Sequence, residues 1–481
     1  MTLSVDLDLS PATARERLAR VDAAAYAATR NHLQGAVSGL SPWIVHGALS
    51  LREALAAVHA RTPLPLDHRW VQELAWRGFF QHRLMREPDT VWHSRHEGPL
   101  PEGEYAAGVC AAEGQAGVAP GPAQARSDAA VDACPKEGAT TLAPDPGATL
   151  RAEPRGRQAS LLAPDVARHA ASPAPSLSPP GSRRQPDLLP RRLLDVPADV
   201  REARTGLAVI DQAVRTLATT GWLHNHARLW LASYLVHGRR VHWRAGADWM
   251  LSWLMDGDVG PNHGSWQWVA GTGSHKPYLF NADNVARFAP ADWQVPGSVL
   301  DTGYDVHEAR ARGGKPPLPA GRGGEAVAEP MVSHTPPAST VQANWGPDQH
   351  GRRVWLAHPW ALGDPPPGFD AVVALWPLEA WAHIAWRAER WAAVAQRLKA
   401  LTPWQWVGPA ESLVERLAGA HTSGFDHPGL PEPLRALLDR PADSLFPELD
   451  RPDAPVASSF SAYWRLGTRR LRQVDELLAG A

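Results

Sequence analysis

The chain of 481 residues is long enough for two to four domains, each able to bury a core. Its 48 Lys and Arg against 50 Asp and Glu leave a formal charge of -2, so no global excess points to nucleic acid or membrane and any basic surface must be local. Two cysteines, Cys110 and Cys134, exclude a disulfide framework, a zinc finger and an iron-sulfur cluster; with no leader pattern at the start and no long apolar run, a soluble, cytoplasmic chain without a membrane span is expected.

In chain order, Ser10-Pro11 and Ser41-Pro42 each place a capping hydroxyl before a proline at the first helical position, and both predict helix starts. From about Pro99 to Pro190 the chain is dominated by Ala, Pro, Gly, Ser and Arg without apolar periodicity, which predicts a disordered insertion over residues 99–195. Leu207, Ile210, Val214 and Leu217 then recur at helical spacing before Gly221, Trp230, Leu231, Tyr234 and Leu235 before Gly238, and Trp249, Met250, Trp253 and Leu254 before Gly257. The fold class expected is therefore mainly α: an all-helical domain assembled from residues 1–98 and 196–308. A Gly- and Pro-rich stretch predicts a linker at 309–344. Within 345–481, Arg353 to Ala357 and Asp370 to Trp376 read as short buried strands, followed by a helix near Leu378 to Leu398, which makes a small C-terminal α/β unit.

Tryptophan follows the same division. Of 22 Trp, four lie between Trp43 and Trp92, none in the insertion, eight from Trp222 to Trp293 and nine from Trp345 to Trp406, a bias no ordinary core requires. Chemistry concentrates between Gly221 and Phe288. Asp256-Gly257-Asp258 ends one Trp-rich helix, and Pro261-Asn262-His263-Gly264-Ser265-Trp266-Gln267-Trp268 follows at once. Two carboxylates, an Asn and paired Trp beside Gly-rich backbone suit a planar, hydrogen-bonding organic cofactor. The triplet His224-Asn225-His226 lacks the further ligands at set spacing that a metal site needs, so no metal is expected.

The run Gly221-Trp222-Leu223-His224-Asn225-His226-Ala227-Arg228, then His242-Trp243-Arg244, Asp256-Gly257-Asp258, Trp266-Gln267-Trp268 and Thr272-Gly273, closely resembles the FAD-binding domain of the cryptochrome/DNA photolyase family in order and spacing. Val37-Ser38-Gly39-Leu40-Ser41-Pro42 resembles that family's flavin-phosphate loop, and Glu73-Leu74-Ala75-Trp76-Arg77-Gly78-Phe79-Phe80 its substrate-side helix. The resemblance implies FAD as cofactor, with Ser38, Leu40 and Ser41 at the diphosphate, Arg77 beside the flavin, Arg228 paired with Asp256, Asp258 along the ring and Asn262 facing N5. It implies that Glu73, Trp76, Asn225 and Trp268 line a cavity that takes a pyrimidine dimer flipped from damaged DNA, and that Trp266 and Trp243 begin an electron-transfer chain.

Departures from the pattern accompany it. Gly39 stands where an Arg is usual, His226 where another Arg is usual, Leu229 for a common Met and Gly78 for an acidic residue, and the surface member of the Trp chain is missing; Trp230, Trp249 or Trp253 would have to offer another route. Two lost cations predict weakened DNA affinity. The helical motif begins within a dozen residues of the start, so the resemblance predicts no N-terminal antenna domain, a place the C-terminal α/β unit would take by permutation. Two functions follow as expectations: light-driven splitting of pyrimidine dimers, or non-enzymatic blue-light or redox sensing through a protein partner.

Overall fold

The computed structural model describes residues 7–105, 196–274 and 276–479. Both cysteines, and the expected disordered insertion from residue 106 onward, lie outside the described residues. The first residues of that stretch are packed, since Leu100 and Tyr105 are buried against the second block of helices.

Every regular element described before residue 309 begins as a helix. The first block holds α1 (Pro11–Ala19), α2 (Ala23–Thr29), α3 (Ser41–Val45), α4 (Leu51–Arg61) and α5 (Arg69–Arg86). Ser10 caps α1 as expected, its Oγ accepting from the Thr13 amide at 3.3 Å. Ser41 does not cap α3: Leu40 holds the cap position, and the Ser41 hydroxyl is drawn away to a distant carboxylate. The second block holds α6 (Ala198–Arg201), α7 (Ala208–Thr220), α8 (Asn225–Ser233), α9 (Trp243–Trp253), α10 (Val259–Ala270), α11 (Ala282–Phe288) and α12 (Tyr304–Ala311). α7 ends on Gly221 at φ 64°, a left-handed cap that a side chain would strain. α8 runs on into a π-helical turn over Tyr234–Gly238.

The segment read as a linker is held to the helices by hydrogen bonds from its backbone amides. Leu318 N donates to the Gly238 carbonyl (2.7 Å), Gly321 N to Asp199 (2.7 Å) and Val327 N to the Glu202 carbonyl (2.9 Å). Such a strap needs little apolar surface, which is why its composition resembles a linker. Its end forms β1 (Val332–Ser333), antiparallel to β4 (Trp386–Arg387).

The C-terminal part contains β2 (Arg353–Ala357), β3 (Ala371–Pro377), β5 (Gln405–Gly408) and β6 (His421–Ser423) in one parallel sheet ordered β5-β3-β2-β6. Parallel strands buried on both faces read as continuous apolar runs, as β2 and β3 do. The helix expected near Leu378 is corrected: a short 3-10 turn at Leu378–Trp381 and strand β4 come first, and α13 spans Ala388–Leu401. α14 (Ala410–Arg416), α15 (Glu432–Arg435), α16 (Phe460–Thr468) and α17 (Val474–Ala479) follow. One buried cluster joins Trp43, Leu55 and Val71 of the first helices to Trp360, Trp376, Trp381, Trp386 and Trp391, so these C-terminal tryptophans help form the seam between the two parts. Among the described residues, no helix is long and apolar enough to cross a membrane.

Candidate functional site

The turn between α9 and α10 carries Asp256 and Asp258, both buried. Arg228, one turn into α8, reaches both Asp256 oxygens with Nη2 at 2.9 and 2.8 Å, and the Ser41 hydroxyl donates to Oδ2 at 2.5 Å. Asp258 is held from α5 by Arg77 and by Gln81 Nε2 at 2.6 Å. A fork-shaped guanidinium on each carboxylate offsets the desolvation that would otherwise make two close buried acids costly.

These groups converge on one cavity lined by Ser41, Arg77, Asn225, Arg228, Asp256, Asp258, Asn262 and Trp266. Asn262 commits its Nδ2 to the Ala247 carbonyl at 2.9 Å, so the atom it can offer a ring N-H is Oδ1. Trp266 fits because α9 has Gly246 opposite it: a Cβ there would lie 2.3 Å from the indole. Trp243 is buried and donates its indole N-H to Ser94 Oγ at 2.9 Å. Of the alternative route, Trp249 and Trp253 lie with ring centroids 4.9 Å apart and planes tilted by 59°, but both are buried, as is Trp230, so none of the three reaches solvent.

Ser38 and Leu40 lie beside this cavity rather than in its lining. The Ser38 carbonyl accepts from Arg17 Nε at 3.0 Å, and the Leu40 amide lies 3.4 Å from Ser38 Oγ. Gly39 sits at φ 60°, and a Cβ on it would meet the Arg17 guanidinium at 2.3 Å. The cation missing from the loop is thus replaced in space by one from α1.

The four residues expected around a lesion are separated. Trp76 and Trp268 line a second, largely apolar cavity of about 310 Å³ with Phe80, Arg83, Gln267 and Phe460, on the opposite face of α10 from the first. Asn225 lines the first cavity. Glu73 pairs with Arg30 at 3.1 Å, and burial pushes its carboxyl up against the pull of that guanidinium. Trp76 already has an aromatic partner: Phe460 of α16 lies flat on it, centroids 3.9 Å apart and planes 6° from parallel. His226, in place of an Arg, stacks on Phe288 at 4.9 Å, and burial pulls its imidazole down to about 4, so it brings no cation at neutral pH.

Gln81 was within reach of sequence reasoning, because it lies four residues after Arg77 on the same helix face. Arg17 was not, since only the tertiary fold brings it to the loop. Below the site, His263 Nε2 and Arg244 Nε both hold Asp248 at 2.8 Å; burial lowers the His263 imidazole, and the two partners keep the Asp248 carboxyl low despite its desolvation. Among the described residues no cluster of His, Cys, Asp or Glu could hold a metal ion.

Residues 182–292 match the family described as the FAD binding domain of DNA photolyase. The chain is 37% identical over 114 residues to the deoxyribodipyrimidine photo-lyase of Escherichia coli (strain K12), covering 21% of this chain and 24% of that protein. It is 51% identical over 138 residues to the enzyme of Streptomyces griseus, covering 22% of this chain and 30% of that one. This part of the chain is thus similar to the FAD-binding domain of the photolyase family, which supports FAD as the cofactor. The matched stretch spans less than a third of those two photo-lyases. Among solved structures, an archaeal photolyase from Sulfolobus tokodaii with two FAD molecules aligns with TM-score 0.35 at 18% identity, covering 66% of this chain and 53% of that one. A cryptochrome from Synechocystis sp. PCC6803 aligns with TM-score 0.34 at 20% identity, covering 58% and 43%. The donor set fits the cofactor: carboxylates and amides for the edge of a flavin, a broad indole beside them, and the Ser41 hydroxyl with Arg17 and Arg77 for its anionic chain.

Proposed function

We propose that this chain is a light-driven, FAD-dependent lyase of the photolyase type that splits pyrimidine dimers in damaged DNA. The observation that carries the reading is the convergence of Arg228-Asp256, Arg77-Asp258, Asn262 and Trp266 on one cavity. The flavin supplies, when bound, reversible light-driven one-electron donation. The protein's part is to hold it: Ser41, Arg77 and Arg228 orient the carboxylates and the anionic chain, Asn262 presents an acceptor, and Trp266 walls off water. No side chain needs to act as nucleophile or acid. In this reading Trp76 and Trp268 receive the extruded bases on their ring faces.

A second reading, sensing through a protein partner, is favoured by one contact: Phe460 covers the Trp76 face on which a base would stack. A repair assay separates the two. Dark-purified protein loaded with FAD is mixed with a duplex containing a thymine dimer, illuminated with blue light in the presence of a reductant, and scored for dimer loss by chromatography. Light- and FAD-dependent loss is expected. A photoreducible flavin with no dimer loss, and no preference for damaged over intact duplex in a gel shift, would discard the lyase in favour of the sensor.

A further inference from the structure

The C-terminal part sends two arginines from adjoining positions of β4 and α13 into the helical part, and they do different things. Arg387 closes helix ends. Its Nη1 donates to the Leu217 and Trp253 carbonyls at 3.2 and 3.1 Å and its Nη2 to the Ala218 carbonyl at 3.0 Å, satisfying the last turns of α7 and α9. Arg390 goes further in and is fully buried. It lies behind the Asp256-Gly257-Asp258 turn: a Cβ on Gly257 would sit 2.9 Å from Arg390 Nη1, so only glycine lets the guanidinium pass so close. Nη1 reaches the Leu254 carbonyl at 3.4 Å, Nε reaches His46 Nε2 at 3.2 Å, and the plane rests on Trp386 at 3.9 Å. Nη2 makes no hydrogen bond among the described residues. Burial pulls the guanidinium down to about 9 while Asp256 and Asp258 hold it up, so it keeps its charge at neutral pH. A buried cation that fills only part of its donor set, placed against the turn that carries both flavin-side carboxylates, is costly unless those carboxylates repay it.

We propose that Arg390 is a positioning residue of the flavin site, supplied by the C-terminal part, which fixes the Asp256-Gly257-Asp258 turn from behind and adds a positive charge to the flavin's surroundings. The inference rests on the flavin reading of the cavity. It makes the C-terminal part a component of the redox site, whatever other role that part has.

The test uses the full chain loaded with FAD, comparing Arg390→Gln, Arg390→Lys and Arg387→Gln. FAD retention after dialysis, the flavin midpoint potential by spectroelectrochemistry and the melting temperature are read for each. Arg390→Gln should lose FAD affinity at least tenfold and move the potential in the negative direction, because a nearby cation favours the electron-rich reduced flavin. Arg390→Lys should keep the potential of the unaltered protein, and Arg387→Gln should lower the melting temperature while leaving the potential alone. Equal destabilisation by both Gln variants with no change in potential would overturn the proposal and leave Arg390 a packing residue. If Arg390→Gln does not fold, Arg390→Lys decides: a folded Lys variant with a shifted potential would also overturn it. Unaltered protein that takes up no FAD would bring down the functional reading itself, an outcome distinct from either.

Discussion

At the scale of single residues, two substitutions in the family pattern have spatial answers. Gly39 lacks the expected guanidinium, but Arg17 occupies that place and holds the Ser38 carbonyl. Arg17→Ala should therefore weaken FAD binding about tenfold, since a charge-assisted hydrogen bond contributes roughly 1.5–3 kcal/mol; fluorescence titration with FAD would show it, and an unchanged Kd would mean the loop holds its shape without α1. Gly78 lacks the expected carboxylate because Tyr463 of α16 has taken the space, its hydroxyl 2.9 Å from where a Cβ would stand. Gly78→Glu should then cost about 1–3 kcal/mol by overpacking, seen as a lower melting temperature. A neutral result would mean that α16 yields easily. The residues that meet in the first cavity were largely legible because their motif is compact in sequence and the fold closes it locally. Arg17, Arg390 and Tyr463 were not, because each reaches the site from a distant segment and no local pattern records such a contact.

At the scale of elements, α10 divides the site. Asp258, Asn262, Ser265 and Val269 turn one face to the first cavity, while Gly260, Gly264, Gln267 and Trp268 turn the other to the second, as a 3.6-residue period requires. α16 then closes the second cavity with Phe460. If the stack on Trp76 guards that face, Phe460→Ala should bind a dimer-containing duplex several-fold more tightly than the unaltered protein, for an aromatic pair contributes about 0.5–1.5 kcal/mol. A gel shift at moderate salt measures this; equal affinity would show that DNA does not use Trp76. Caps and apolar stripes predicted α1, α7 and α9 because they are local signals. β4 was read as helix because its two residues pair with Val332 and Ser333, more than fifty positions earlier, and pairing overrides the propensity of the flanking alanines.

At the scale of the whole molecule, the seam between the helical and the C-terminal parts is lined with neutral histidines. His46 places Nδ1 2.5 Å from the Pro359 carbonyl and is pulled down to about 3, first by burial and then by Arg390. His358 reaches the Phe425 carbonyl at 2.8 Å and is pulled down to about 4 by burial, and His427, stacked on Trp360 at 4.8 Å, is lowered by burial and by His358. Away from the seam, burial also takes His224 and His237 to about 4. An imidazole whose folded value lies below its ordinary 6.5 contributes full stability above that pH and loses it as pH falls toward the folded value. Asp443 works the other way: burial raises it to about 6, so folding gains from its proton between about 6 and its ordinary 3.8. Asp443 and Glu73, the two carboxyls that burial raises, do not balance several histidines, so the melting temperature should fall steadily from pH 6.5 towards 4, with the seam opening first. Melting followed by tryptophan fluorescence at stepped pH measures it, because the Trp360 to Trp391 cluster sits on that seam. His358→Gln, whose amide can still donate to Phe425, should flatten part of the slope. A curve flat from pH 6.5 to 4.5 would mean that the seam does not depend on these imidazoles staying neutral, and that Arg390 is held in place by the tryptophans alone.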